Sequence, residues 1–157
     1  MDLFRIFLFL HVLAAIAAFG PGFAAAVAGP MVAREPQHAN FYARTQLTVN
    51  TRLVTPLALS MAVTGIAMIL VRGWSNVAGN SYWLPTAIVL YVIAIGYALA
   101  VQAPAGRTLV ELTSAPPAPG SGPNPQIPAT AKRLRQGGMI LGLLVTVIVF
   151  LMVTKPF

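Results

Sequence analysis

The chain has 157 residues, of which 57% are hydrophobic and only 8% charged, and its mean hydropathy is +0.78. A soluble domain carries about 25% charged residues, so this composition excludes a water-facing globule and points to a single domain with lipid as its solvent. Ten Lys and Arg against three Asp and Glu give a net charge of +7, but the basic residues stand singly between apolar runs without interleaved aromatics, a pattern of membrane topology and not of nucleic-acid binding.

The first apolar run extends from Leu3 to about Val32, interrupted by Arg5, His11 and Gly20-Pro21-Gly22. A helix needs about 20 residues to cross a bilayer, and further runs of about that length cover 53–71, 83–101 and, with Gly137 and Gly138 included, 137–154. None alternates with period two, as a barrel strand would. The expected fold is all-α, a polytopic membrane protein with four transmembrane helices in an antiparallel bundle.

Between the first two spans, Ala33 to Arg52 is polar enough to leave the bilayer. Pro36 suits a helix start, and the absence of a breaker from Gln37 to Pro56 predicts a helix that projects from the membrane and runs into the second span, kinking at Pro56. The connection from Arg72 to Tyr82 is short, and Trp74, Tyr82 and Trp83 are of the types favoured at headgroup depth. The third connection, 113–130, holds six prolines with Gly and Ser, the composition of a linker without regular structure.

Arg5, Arg72 and Lys155 fall on one side of this arrangement, and Arg34, Arg44, Arg52, Arg107, Lys132, Arg133 and Arg135 on the other. The positive-inside bias then places both termini outside and the two longer connections in the cytoplasm. Arg5, the apolar stretch and Ala26-Val27-Ala28 also imitate a cleaved signal peptide. Cleavage would require the opposite orientation and would export the seven-charge side, so an intact first span is expected.

Lipid gives helices no hydrophobic reason to associate, so small residues that let backbones approach become informative. The first run is rich in Ala and Gly, while Gly138 with Gly142, and Gly96 with Ala100, stand at the four-residue interval of helix packing. These positions are expected to pack within the bundle, with self-association between chains as the competing use. Gly20-Pro21-Gly22 removes a hydrogen bond inside a span and sets Pro21 against the Ala17 carbonyl. Broken helices line transport sites, but no internal repeat accompanies this one, so a simple kink is expected.

His11 is the one ionisable side chain well inside a span, and such residues are functional hypotheses by default. Counting about 1.5 Å per residue, Thr64, Tyr91 and Thr146 fall at a similar depth on the other helices. A polar layer of His11, Thr64, Tyr91 and Thr146 follows, with Thr64 or Tyr91 bonding the imidazole. Three roles compete for His11: a helix tie, an axial ligand to haem b or a chlorin, and a proton relay. Ala15, Ala18 and Gly22 follow it on one helix face, small enough to admit a flat macrocycle. His38 lies on the opposite membrane side, so a second axial ligand would have to be Met68, Met61 or His11 of another chain. The spans hold no other acid or imidazole to extend a relay.

His38 reads as a solvated residue, and Asp2, Glu35 and Glu111 are far apart in sequence. With no cysteine and no carboxylate cluster, neither a metal site nor a two-carboxylate hydrolase can be assembled, and no P-loop, GxSxG or HExxH motif is present. The chain is therefore expected not to be an enzyme. A channel or transporter is disfavoured because no charged residues line a pathway.

Phe7 to Ala18 (FLFLHVLAAIAA), Leu53 to Trp74 (LVTPLALSMAVTGIAMILVRGW) and Leu151 to Pro156 (LMVTKP) resemble a bacterial family of predicted integral membrane proteins, domain of unknown function 2269. The likeness covers nearly the whole chain apart from the Pro-rich connection. It implies four helices in a bacterial inner membrane and no settled activity. The LHVLAA start is also similar to haem-associated four-helix membrane proteins related to copper-resistance and protoporphyrinogen-oxidising families. Those follow the histidine with a Trp and two glycines, where this chain has Phe19-Gly20-Pro21-Gly22. The function expected from the whole is a non-catalytic accessory or scaffold subunit, in contact with lipid and other membrane subunits. The alternative is a tetrapyrrole-binding protein using His11 for electron transfer or cofactor handling.

Overall fold

A computed structural model describes residues 2–79, 81–114 and 124–156. Four long helices carry the chain back and forth: α1 (Leu3–Arg34), α2 (Pro36–Arg72), α4 (Trp83–Ser114) and α5 (Gln126–Thr154), each long and apolar enough to cross a membrane. A short helix, α3 (Trp74–Ala78), lies in the turn between α2 and α4. Among the described residues there is no strand. The fold is therefore the all-α, four-span antiparallel bundle expected from the apolar runs.

Local chemistry sets the helix ends. Asp2 caps α1, its carboxylate accepting the Phe4 amide at 3.3 Å. Pro36 opens α2 from its first turn, where a missing amide hydrogen costs nothing. Gly73 stops α2 at φ 81°, a conformation that a side chain would resist.

The prolines inside the helices are handled in two ways. α1 continues as one helix through both Pro21 and Pro30, so the Gly20-Pro21-Gly22 break does not open the helix into a site. In α2 and α4 the chain widens by one π-helical turn, over Asn50–Val54 and Ala98–Gln102, each two residues before a proline. The Thr55 amide reaches back five residues to Asn50, and the Ala103 amide does the same to Ala98. The wider turn relieves the clash that Pro56 and Pro104 would make with the carbonyls of Arg52 and Ala100. Where a kink is expected from the sequence at Pro56, the structure places a π turn just before it, and Pro104 has its counterpart.

α1 packs along α2, and α4 along α5, giving two hairpins. The hairpins meet mainly at the end bearing seven basic residues, where Ala39–Val49 of α2 packs against Ala103–Ser114 of α4. There Asn40 donates to the Val110 carbonyl at 3.4 Å and to the Thr113 and Ser114 hydroxyls at 3.1 and 2.9 Å, tying down the last turn of α4. The helices outrun the expected spans on this side. α4 continues 13 residues beyond Val101 to Ser114 and α5 begins 11 residues before Gly137 at Gln126, because these polar segments pack on α2 and on each other. Both ends of the Pro-rich connection are thus helical, with Pro128 tolerated in the first turn of α5; its residues 115–123 lie outside the described residues.

At the other end, α3 and the start of α4 close a small core of Ala78, Trp83 and Leu84 against Ile69, Val77 and Met152. Trp83 is 4% exposed, so it is a core residue and not a headgroup anchor, whereas Trp74 and Tyr82 are exposed as expected. Arg72 lies over the Phe4 ring at 4.5 Å and Lys155 over the Trp83 ring at 5.4 Å. These contacts gather the start of α1, the end of α2, the start of α4 and the end of α5 into one layer. Elsewhere the buried residues are mostly small, such as Ala14, Ala18, Ala87 and Ala94, while large apolar side chains face outward. That inversion is what a lipid solvent requires.

Candidate functional site

Of the four residues expected in a polar layer, the structure joins two. His11 Nδ1 lies 3.0 Å from the Thr64 hydroxyl, a bond across α1 and α2. Thr64 has one hydroxyl hydrogen, and its oxygen is 2.9 Å from the Ser60 carbonyl one turn back. We assign the threonine hydrogen to that carbonyl, so Nδ1 carries the imidazole hydrogen and donates to Thr64, leaving Nε2 with a lone pair. Gly65 faces the ring: a Cβ there would stand 3.6 Å from the imidazole Cε1, at ordinary van der Waals distance.

Tyr91 and Thr146 do not reach this pair. The Tyr91 hydroxyl donates to the Ala58 carbonyl, bridging α4 to α2 about six residues deeper than Thr64. Thr146 is exposed and bonds the Gly142 carbonyl of its own helix at 2.9 Å. Depth along a helix is additive in residue number, but rotation decides which neighbour a side chain meets. Met61, one turn before Thr64, is buried, and Met68, one turn after it, is partly buried.

The small-residue positions also differ from expectation. Gly96, Ala100, Gly138 and Gly142 are exposed, and a Cβ on any of the three glycines would meet no atom within 4 Å. They do not pack within the bundle. The glycine that does is Gly137, buried where the Gln102 amide and the Tyr97 hydroxyl sit on it. Gln102 also donates to the Leu134 carbonyl at 3.2 Å. In sequence, the signals for this second polar contact were a glutamine at the end of an apolar run and the Gly137-Gly138 pair. The spacing of Gly138 and Gly142 directed attention one residue too far round the helix.

At the seven-charge end the Tyr42 hydroxyl donates to the Ala25 carbonyl at 3.2 Å and Gln46 donates to Tyr42 at 3.0 Å. His38 is exposed and faces Glu35 at 3.6 Å, as a solvated residue would. Among the described residues, no three His, Asp or Glu side chains come together.

The family model for predicted integral membrane proteins (DUF2269) matches residues 5–156. The chain belongs to that family. No curated protein and no solved structure matches it, and the likeness to haem-associated proteins gains no support. Membership in DUF2269 agrees with the four apolar helices and leaves the chemistry of His11 to be judged from its surroundings.

Those surroundings bear on a tetrapyrrole directly. The face running from His11 through Ala15 and Ala18 is packed on α2, and Ala18 is only 3% exposed. A macrocycle over Ala15 and Ala18 would have to displace α2, whereas Gly22, further along the same face, is exposed with no atom within 4 Å of an added Cβ.

Proposed function

We propose that this protein is a non-catalytic accessory or scaffold subunit of a larger complex in a bacterial inner membrane. The observation that carries this reading is the pair of small-residue ridges, Gly138 with Gly142 and Gly96 with Ala100, that the chain leaves open to lipid. Helices associate in bilayers by close backbone approach at such residues, and here the approach is available to a helix of another subunit. His11 supports the same reading, since its partner is a threonine that ties α1 to α2 and, among the described residues, no carboxylate pairs with it.

The charge distribution favours an orientation with both termini outside. Seven basic residues gather at the end where α2 and α4 project, against three at the end holding the termini, and the richer side is retained in the cytoplasm.

Purification in a mild detergent tests the proposal. A colourless protein that co-purifies with stoichiometric membrane subunits, and loses them on Gly138→Leu with Gly142→Leu, is expected. A Soret band abolished by His11→Ala would establish instead a tetrapyrrole shared between chains.

A further inference from the structure

Two grooves on the seven-charge half of α2 meet at Thr45 and Val49, which line both. The first, about 360 Å³, runs between α1 and α2 and is walled by Pro21, Ala24, Ala28 and Leu53. Its exposed surface is almost wholly apolar, and Leu53 marks its end nearest the membrane-spanning part of α2. The second, about 470 Å³, lies along α2 beside Asn40, Arg44 and Thr48. Arg52 is exposed and stands one turn beyond Thr48 on the same helix. An apolar slot thus leads into a basic, hydroxyl-bearing surface.

The depth of this cleft matches the edge of a bilayer. From Arg72 back to Arg52 is about 30 Å of helix, the thickness of the hydrocarbon core. Arg52 therefore marks the boundary, with Leu53 just inside it. Arg44 lies about 12 Å further out, and a point midway between the arginines falls about 6 Å above the boundary, inside the headgroup layer. Charge agrees with depth. Of the two acids at this end, Glu35 faces His38; Glu111 is on the segment of α4 that packs against Ala39–Val49, but among the described residues no ion pair joins it to Arg44 or Arg52.

We propose that this cleft seats one acidic phospholipid of the leaflet on the arginine-rich side. Its glycerol and first acyl carbons lie against Pro21, Ala24, Val49 and Leu53, the acyl chain continuing past Leu53 into the hydrocarbon, and its phosphate sits between Arg44 and Arg52 beside the Thr45 hydroxyl. The slot's Leu53 end meets the hydrocarbon boundary, and the guanidinium groups match a phosphate in geometry and charge.

The test is lipid binding to the full-length protein in neutral detergent, measured by native mass spectrometry with phosphatidylglycerol, with phosphatidylcholine and with inorganic phosphate as competitor. One phosphatidylglycerol is expected to bind in preference to phosphatidylcholine. Arg44→Gln with Arg52→Gln should weaken it about thirtyfold, from the contribution of two basic residues near a membrane surface. Ala24→Phe, an exposed position, should weaken it with both arginines intact by filling the slot. Arg133→Gln with Arg135→Gln, at the same end on α5, should leave it unchanged, and unfolding midpoints would verify that each variant is folded. The proposal is overturned if the α5 pair weakens binding equally, if the two lipids bind alike, or if inorganic phosphate competes as well as the lipid. It is likewise overturned if a protein subunit occupies the cleft and excludes the lipid.

Discussion

Adjacent glycines on α5 have opposite surroundings, and that contrast isolates the packing between α4 and α5. A Cβ added at Gly137 would stand 2.7 Å from the Tyr97 hydroxyl and 2.8 Å from Gln102 Cδ, distances that require both side chains to move. For Gln102 that movement strains or breaks its bond to the Leu134 carbonyl. Overpacking of this kind costs about 1–3 kcal/mol, against a helix-propensity gain of about 1 kcal/mol for replacing glycine by alanine. At Gly138 the gain stands alone, because no atom lies within 4 Å. Gly137→Ala should therefore be less stable than Gly138→Ala by about 1–3 kcal/mol, the helix term cancelling between them. Unfolding in a graded detergent-to-denaturing-detergent series, followed by circular dichroism, measures the difference. Equal stability of the two variants would refute the placement of Gln102 and Tyr97 over Gly137, and with it the rotation assigned to α5.

Other contacts make similar demands. Thr64→Val keeps the side-chain shape but removes the partner of His11, and should lose about 0.6–2 kcal/mol, whereas Thr64→Ser should retain most of the stability. Tyr91→Phe should lose about 0.6 kcal/mol by freeing the Ala58 carbonyl, while Thr146→Val should change little because its bond stays within one helix. Asn40→Ala should cost about 1 kcal/mol and quicken amide exchange at the end of α4, read by hydrogen–deuterium exchange.

The elements were more legible in the sequence than their faces. Four apolar runs announced four helices because a bilayer imposes a minimum length and admits no unpaired backbone. The pairing of His11 with Thr64 could be anticipated by counting residues from the helix ends. Counting failed for Tyr91 and Thr146, since a rise of 1.5 Å per residue fixes depth but leaves the 100° rotation between successive residues to the packing. The same rotation exchanged Gly138 for Gly137. The π turns follow from Pro56 and Pro104 together; Pro56 stands out at the end of the unbroken stretch from Gln37, whereas Pro104 lies in the extension between the third apolar run and the 113–130 connection. That extension became helix because Asn40 and its neighbours on α2 give α4 something to pack against, an interaction between segments about 70 residues apart.

The central claim is that four helices cross the membrane, with both chain ends and α3 on one side and the projecting parts of α2 and α4 on the other. The chain contains no cysteine, so a single introduced thiol reports its own side without background. Labelling Asp2→Cys, Ser75→Cys, Gln37→Cys and Asn124→Cys in right-side-out vesicles with a membrane-impermeant maleimide is the direct measurement. Asp2→Cys and Ser75→Cys should label from outside, and Gln37→Cys and Asn124→Cys only after the vesicles are opened. Labelling of Ser75→Cys and Gln37→Cys from the same side would contradict the passage of α2 through the bilayer.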